Sequence, residues 1–243
     1  MSGRTLNQLY IRRFLDAHFA VDRGYRLILD LGCGASPYGG IYGRNGVPVI
    51  SADLFPGPGV TVCLEAEYLP FRDGSFDCIV LTEVLEHVAN ADLTIDEIHR
   101  VLSPGGTLIL TAPFLYGIHE QPRDFRRYTE FGLAQLLTAH GFQIRVLERR
   151  GNLVDVGTTV LSHFLLLGFE GLARIPFLQW IFRPLNGLGR MLVFGALRVQ
   201  FSATSRMASL HPPEVGENLT MGGHLALWTL GYDVVAEKTA EPT

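Results

Sequence analysis

The sequence predicts an α/β protein with a doubly wound sheet of seven strands, in which strands one to five and seven frame an antiparallel edge. Two observations support this fold class. Short apolar runs alternate with segments of helical period through residues 25–151, which is typical of a sheet covered on both faces by helices. The first run, residues 27–31, is followed by a turn at Gly32 and Gly34, where the absence of a Cβ allows close approach to a ligand.

The elements are expected in a regular order. A capping box between Thr5 and Gln8 starts a helix within residues 1–24. Strands are predicted at residues 27–31, 47–52, 60–64, 76–82, 107–111, 142–147 and 232–237. Helices are predicted at residues 92–102 and 129–140, the first stopped by Pro104 and the glycines after it. Residues 25–151 would form the core, and residues 224–243 the last strand and a tail.

The first two strands predict a nucleoside site. Asp53 lies 21 residues after Gly32, at the tip of the second strand, where a carboxylate can accept hydrogen bonds from a ribose diol. Pro37 stands where a dinucleotide-binding G-x-G-x-x-G turn has its third glycine, close to the pyrophosphate. This substitution counts against an NAD-dependent oxidoreductase, which is the first rival interpretation.

Composition narrows the function further. The net charge of −4 and the pI of about 6.1 imply no general attraction to nucleic acid. Cys33, Cys63 and Cys78 form no C-x-x-C pair, so we expect free thiols in a reducing compartment. The N-terminal segment is interrupted by polar residues, unlike a signal peptide, and a cytoplasmic location is expected.

Four motifs follow the glycine turn in order: EAEYLPF (65–71), DGSFD (73–77), EVLEHV (83–88) and EIHRVLSPGG (97–106). Together they resemble the class I S-adenosylmethionine-dependent methyltransferases, in the large branch (methyltransferase type 11) that includes the quinone methylases. The resemblance covers about residues 25–151. It implies a Rossmann-like core and an enzyme that transfers methyl from S-adenosylmethionine to an O or N atom of a small or lipid-linked acceptor. The second rival is a non-catalytic module that binds the same cofactor.

The resemblance also implies which residues hold the cofactor. Asp30 would steer the methionyl ammonium, the glycine turn would lie under methionine and ribose, and Asp53 would hold the ribose hydroxyls. Glu65, where aspartate is commoner, would accept from the adenine amino group, and the Ala66 N–H would donate to a ring nitrogen. The full implied set is Asp30, Gly32, Cys33, Gly34, Asp53, Leu54, Glu65, Ala66, Thr82, Glu83 and His87. For His87 the alternative is a packing role.

Residues 112–128 follow strand five, at the sheet edge where α/β proteins bind ligands. His119 is the candidate general base for a hydroxyl acceptor, because imidazole takes up protons near neutral pH. The alternative is that His119 and Asp124 only fix the loop. Metal binding by His119 and Glu120 is disfavoured because adjacent ligands lack the usual spacing, and no metal site is predicted.

Residues 152–223 form a predicted apolar insert between strands six and seven. Residues 153–206 carry five arginines against Asp155 and Glu170, a local net charge of +3. This composition suits a helical hairpin in a membrane interface, a lid over a greasy acceptor, a dimer contact or a cap packed on the sheet. We expect two or more helices that cover the acceptor side of the pocket, and weak peripheral association with anionic membranes at the inner face.

Overall fold

A computed structural model describes residues 5–44, 46–173 and 229–239. Within them the helices are α1 (Leu6–His18), α2 (Gly39–Tyr42), α3 (Ala91–Val101), α4 (Glu130–Ala139) and α5 (Leu153–Ala173). The strands are β1 (Ile28–Leu31), β2 (Val49–Asp53), β3 (Val62–Cys63), β4 (Phe76–Thr82), β5 (Leu102–Pro113), β6 (Phe142–Arg150) and β7 (Gly231–Lys238). The predicted α/β fold is confirmed, and the bounds of β4 are those expected from the sequence.

The seven strands form one sheet in the order β3-β2-β1-β4-β5-β7-β6. The pairs from β3 to β5 are parallel, and β7 runs antiparallel to β5. The antiparallel pair is therefore β5 with β7, and β7 lies one place inside the edge strand β6. From β1 the sheet is extended to one side by β2 and β3 and to the other side by β4 and β5, and such a switch point leaves a ligand-binding crevice at the carboxyl ends of the parallel strands.

Side chains of the central strands alternate between two cores, as the pleat of a strand requires. Leu29 of β1 belongs to the core that α3 covers through Ile95. Its neighbour Ile28 belongs to the core that α1 covers through Ile11. Each of these four side chains is at most 1% exposed, and full burial of such a side chain contributes about 1.5–3 kcal/mol. The apolar runs read from the sequence thus act as strands buried on both faces.

Helix α3 has both ends satisfied by side chains. Asn90 accepts a hydrogen bond from the Leu93 N–H at 3.2 Å, which caps the first turn. At the other end Lys238, the only lysine of the chain, donates to the carbonyl oxygens of His99 and Leu102 at 2.7 and 2.9 Å. A cation at a helix C-terminus also complements the helix dipole. The last strand thereby stabilises a helix that follows the crevice.

Strand β5 is longer than predicted. Leu102 pairs with Phe76 and Thr107 pairs with Cys78, so four residues of β5 lie opposite one residue of β4. The bulge consists of residues 103–106, and Gly105 adopts a φ of +74° there. The Pro-Gly-Gly segment does stop α3, as expected, but it then forms an irregularity within a strand and not a separate loop.

The chain divides into two compact units, Ile11–Arg149 with Gly231–Thr243, and Met1–Tyr10 with Arg150–Leu230. In the second unit the buried Asp155 carboxylate accepts from the Tyr10 hydroxyl at 2.9 Å. Helix α5 is the one described helix of the predicted insert, and residues 174–223 of the insert lie outside the described residues. None of the described helices combines the length and the apolar character needed to cross a bilayer.

Candidate cofactor and acceptor site

The turn after β1 requires glycine. Gly32 has a φ of +74°, and a Cβ on it would lie 2.2 Å from Cγ2 of Val84, which follows β4. Gly34 has a φ of +52° and open space where a Cβ would stand. The N–H groups of Gly32 and Cys33 both donate to the carbonyl oxygen of Ala52, at 2.8 and 3.0 Å. The turn is therefore fixed to the end of β2 and contacts the segment after β4.

Asp53 is oriented by the same turn. Its Oδ2 accepts from the Gly34 N–H at 2.8 Å, and its Oδ1 accepts from the Phe55 N–H at 3.1 Å. Each oxygen of an ionised carboxylate has capacity for a second hydrogen bond. Asp53 is only half-buried, so a diol can approach it from the crevice. Its contact with the ribose hydroxyls stays a prediction.

Asp30 is the buried acid of the crevice. It is 1% exposed, and its Oδ2 accepts from the Tyr42 hydroxyl at 2.5 Å. Burial raises the pKa of Asp30 to about 6; the nearby Asp53 carboxylate also raises it, while the Tyr42 hydrogen bond lowers it. Two carboxylates at neighbouring strand ends concentrate negative charge, which a cationic ligand relieves. S-adenosylmethionine suits these two carboxylates, because it carries two positive charges, on its sulfonium and its ammonium, against one negative charge on its carboxylate.

The segment after the glycine turn does not suit a pyrophosphate. A dinucleotide site places the pyrophosphate at the N-terminus of a helix that opens directly after the turn. Here α2 begins at Gly39 and is four residues long, so a comparable helix end is missing from this part of the described chain. The carboxylates of Asp30 and Asp53 would also repel a dianion. Backbone and charge both disfavour a dinucleotide.

Thr82 is the last residue of β4, and Glu83 directly after it has a constrained conformation. Glu83 has a φ of +54°, a left-handed conformation that costs a non-glycine residue about 1–3 kcal/mol. Thr111 of β5 holds it there, because the Glu83 N–H donates to Thr111 Oγ1 at 3.2 Å and that hydroxyl donates to Glu83 Oε1 at 2.9 Å. Such strain is concentrated at binding sites. The cofactor contacts of Thr82 and Glu83 stay predictions.

The loop that carries Glu65 and Ala66 is held by an ion pair on α3. Arg100 donates to the carbonyl oxygen of Leu69 at 2.8 Å, and its partner Glu97 accepts from the Leu69 N–H at 2.8 Å. Glu65 is exposed and Ala66 is half-buried. The sequence predicts a helix at Glu97 but does not indicate that Glu97 and Arg100 hold the loop that is predicted to bind adenine.

Cys33 and Leu54 also belong to the implied cofactor set. Cys33 is 3% exposed, and burial, followed by the carboxylates of Asp30 and Asp53, raises the pKa of its thiol to about 11. The thiol is therefore neutral at pH 7 and packs as a small apolar group. Leu54 follows Asp53 directly and is half-buried. Neither observation tests a cofactor contact, and both assignments stay predictions.

Two histidines meet on the other side of the crevice. His87 Nε2 lies 3.1 Å from His119 Nε2, although 32 residues separate them. Glu86, which is 0% exposed, has its Oε1 3.6 Å from His87 Nε2. Glu120 is exposed, and its Oε2 is 3.9 Å from the same nitrogen. The sequence assigned His87 to the cofactor and His119 to the acceptor, and the structure brings the two rings together.

The loop that carries His119 is fixed by charge. Asp124 has a side chain that is 1% exposed, and it accepts from the His119 N–H at 2.9 Å. Arg127 binds the same carboxylate through both of its terminal nitrogens and holds the pKa of Asp124 well below its usual range. Arg126 donates to the carbonyl oxygens of Val88 and Ala89, at 2.7 and 2.8 Å, in the segment after β4. These contacts fix the conformation of the loop, as the alternative interpretation of His119 and Asp124 expects. They also orient the His119 ring toward His87.

Fold and site together define an α/β protein with a crevice for a cationic nucleoside cofactor. Residues 29–110 match the family described as "Methyltransferase domain". This match lies within the residues 25–151 that resemble the S-adenosylmethionine-dependent methyltransferases, whose cofactor is S-adenosylmethionine. The resemblance predicted from the four motifs is confirmed.

Curated relatives cover part of this chain. It is 33% identical over 135 residues to the demethylmenaquinone methyltransferase of Beutenbergia cavernae, a match that covers 48% of this chain and 55% of that protein. It is 34% identical over 122 residues to the ubiquinone biosynthesis O-methyltransferase of Chelativorans sp., covering 42% of this chain and 48% of that protein. The chain thus spans about half the length of these relatives.

A solved structure agrees over nearly the whole chain. A SAM-dependent methyltransferase from Archaeoglobus fulgidus superposes with a TM-score of 0.57, covering 94% of this chain and 93% of that chain. The sequence identity is 14%, so the similarity establishes the shared fold. It adds nothing on the acceptor.

Proposed function

We propose that this protein transfers the methyl group of S-adenosylmethionine to an oxygen or nitrogen atom of a small or lipid-linked acceptor. The observation that supports this proposal is that two different groups of side chains lie at the same edge of the sheet. Carboxylates follow β1 and β2, where they suit a cationic cofactor, and the His87–His119 pair follows β4 and β5, where it suits an acceptor that must lose a proton.

On the cofactor side the chain's own residues bind and orient. S-adenosylmethionine supplies an electrophilic methyl group on its sulfonium. Asp53 holds the ribose hydroxyls, Asp30 attracts the methionyl ammonium, and the glycine turn removes side chains from the path of the ligand. Because methyl transfer is an in-line displacement at carbon, this positioning accounts for much of the rate enhancement.

On the acceptor side the histidine pair makes the acceptor nucleophilic by favouring its deprotonated form. His119 is the ring we assign to this task, because its backbone N–H and its Nδ1 are both held by Asp124, at 2.9 and 3.3 Å. The ring then presents Nε2 toward His87 and the crevice. The names of the two relatives support a quinone-like acceptor, and the name O-methyltransferase supports an oxygen atom.

The test combines binding and turnover. Calorimetry should show binding of S-adenosylhomocysteine and little or no binding of NAD. Labelled S-adenosylmethionine is then offered with matched aromatic hydroxyl, aliphatic hydroxyl and amine acceptors, and we expect methylation of an aromatic hydroxyl with release of S-adenosylhomocysteine.

Two outcomes would contradict the proposal in different ways. Tight NAD binding without S-adenosylhomocysteine binding would overturn the cofactor assignment. Binding of S-adenosylhomocysteine with no turnover of any hydroxyl or amine acceptor would favour the non-catalytic module. Methylation of an acceptor carbon alone would preserve the enzyme and overturn the choice of atom.

A further inference from the structure

The two histidine rings face each other through the same type of nitrogen. Their planes are nearly perpendicular, at 81°, with centroids 4.7 Å apart. His87 is 13% and His119 29% exposed at the side chain, so a small solute can reach both rings. Because the two residues come from the segments after β4 and β5, the fold itself sets this juxtaposition.

The hydrogen bonds at the far side of each ring assign its tautomer. His87 Nδ1 lies 2.7 Å from the carbonyl oxygen of Arg123. His119 Nδ1 lies 3.2 Å from the carbonyl oxygen of Gly117 and 3.3 Å from the Asp124 carboxylate. Since a carbonyl or carboxylate oxygen can only accept, each Nδ1 carries the hydrogen and donates it.

This assignment leaves a lone pair on each Nε2. In a neutral imidazole one nitrogen donates and the other accepts, so both Nε2 atoms are acceptors. Two acceptors 3.1 Å apart repel each other unless a cation lies between them. That cation is either a proton or a metal ion.

The buried carboxylate decides between the two. Glu86 is fully buried, with Oε1 3.6 Å from His87 Nε2, and the ligand atoms of Glu86, His87 and His119 all lie within 4.8 Å of one another. A proton can be shared by the two nitrogens alone, whereas a metal ion can bind both nitrogens and the carboxylate at once. We propose that Glu86, His87 and His119 bind one divalent transition-metal ion of the Zn²⁺ type.

The spacing and the donor set fit such an ion. Two nitrogens bound to tetrahedral zinc at about 2.0 Å lie about 3.3 Å apart, close to the 3.1 Å between the two rings. Imidazole nitrogens favour Zn²⁺ and its neighbours over Mg²⁺, which prefers oxygen ligands. Two histidines and one glutamate leave a fourth position open, as catalytic zinc sites do.

The surroundings also have the form of a metal site. Metal-binding histidines donate their second N–H to a carbonyl or carboxylate oxygen, which fixes the ring. Both rings do so here, and Asp124 is itself fixed by the bidentate contact of Arg127. From the sequence, Glu120 was the one candidate partner of His119, and because adjacent ligands lack the usual spacing no metal site was predicted. The EVLEHV motif already placed Glu86 beside His87, but the partner 32 residues away was not visible.

In the proposed methyl transfer, the metal ion would activate the acceptor. This role rests on the proposed function, whereas metal binding itself does not. An acceptor hydroxyl in the open position would bind the ion as an oxyanion, and its proton would leave to water. The lone pair on His119 Nε2 would then bind the ion. The two histidines would therefore activate the acceptor through the ion, and His119 would not act as a base.

Metal binding can be measured without any acceptor. Co²⁺ is titrated into the purified, metal-stripped full chain and followed by visible absorption, and Zn²⁺ is titrated by calorimetry. We expect one ion per chain, with affinity reduced at least about tenfold in His87→Gln, His119→Gln and Glu86→Gln. His140→Gln is the matched control, since that ring contacts Asp92 and Asp96 on the surface and should leave binding unchanged.

S-adenosylhomocysteine affinity reports whether each variant is folded. Absence of stoichiometric metal binding in a chain that binds S-adenosylhomocysteine would overturn the metal site and leave the proposed function intact. Equal metal affinity in wild type and the three site variants would also overturn it. Metal binding that needs these residues, in a chain that methylates no acceptor, would support the site and contradict the proposed function.

Discussion

The two sides of the crevice are built differently. On the cofactor side, Asp30, Asp53 and the glycine turn lie at the ends of adjacent strands, and Asp53 is held by backbone N–H groups. On the acceptor side, His87 and His119 stand in loops after β4 and β5, where the carbonyl oxygen of Arg123 holds His87 and the Asp124 carboxylate holds His119. The first arrangement suits a ligand that every family member shares, and the second can change with the acceptor without disturbing the cofactor.

Because the two sides are held by different contacts, we expect substitutions on each side to change different measured properties. Changes on the cofactor side should alter S-adenosylhomocysteine affinity. Changes on the acceptor side should alter turnover and metal binding while that affinity stays the same. An acceptor-side variant that lost S-adenosylhomocysteine affinity would break the distinction.

The largest effect is expected at Asp30, where function and stability oppose each other. Because burial raises the pKa of Asp30 from 3.8 to about 6, folding favours the protonated acid. Its contribution to stability is full below pH 4 and is lost as pH rises through 6. Asp30→Asn keeps an oxygen for the Tyr42 hydroxyl and should raise the free energy of unfolding at pH 8 by up to about 3 kcal/mol.

The same variant should bind S-adenosylhomocysteine at least about tenfold more weakly, because the ammonium loses its carboxylate. Urea unfolding at pH 4 and pH 8, with calorimetry at pH 8, checks both effects. Asp22→Asn, at an exposed turn, is the control and should change neither quantity. Lower stability of Asp30→Asn at pH 8 would show that the buried charge is compensated in the fold.

The next effect concerns the ribose anchor. Asp53→Ala removes the contact to the Gly34 N–H and the predicted contacts to the ribose hydroxyls, and should weaken S-adenosylhomocysteine binding by about tenfold or more. Calorimetry measures the affinity, and Asp92→Ala on the exposed face of α3 is the matched control. Unchanged affinity in a folded Asp53→Ala protein would show that another group holds the ribose.

A smaller effect is expected at Arg100, which holds the loop that is predicted to bind adenine. Arg100→Ala removes hydrogen bonds to Leu69 and Phe71 and the ion pair with Glu97. We expect a loss of about 1–2 kcal/mol in stability and a loss of affinity below that of Asp53→Ala. Arg26→Ala, which removes an exposed ion pair with Asp77, is the control. An affinity loss at Arg100 larger than at Asp53 would mean that the loop, and not the ribose, dominates binding.

The sequence places the residues of the proposed cofactor side at neighbouring strand ends, because the determinants of that arrangement are local. A strand, a turn with positive φ and an acid at the next strand tip all leave a mark on composition and spacing. The α/β class and the bounds of β4 were predicted from the sequence, while the strand order comes from the structure. The bulge at residues 103–106 was missed because a Pro-Gly-Gly segment is equally typical of a loop.

The acceptor side was predicted less well because it depends on long-range contacts. His119 was recognised from its chemistry, but its meeting with His87 depends on how Asp124 and Arg127 fold the loop. No periodicity encodes that conformation. The bulged β5 and the short α2 are similar cases, in which tertiary contacts override local preference.

The smallest expected effect concerns whether the acceptor is lipid-linked. Residues 153–206 carry a net charge of +3, and an arginine near an anionic surface adds on the order of 1 kcal/mol of attraction. The full chain should therefore co-sediment weakly with phosphatidylserine vesicles at low salt and less at high salt. Reversing Arg183, Arg190 and Arg198 to glutamate should abolish sedimentation and leave S-adenosylhomocysteine affinity unchanged, which separates this property from the cofactor side. Neutral phosphatidylcholine vesicles are the control. Equal sedimentation of both proteins, or none by the wild type at low salt, would remove the membrane proposal and favour a small, freely diffusing acceptor.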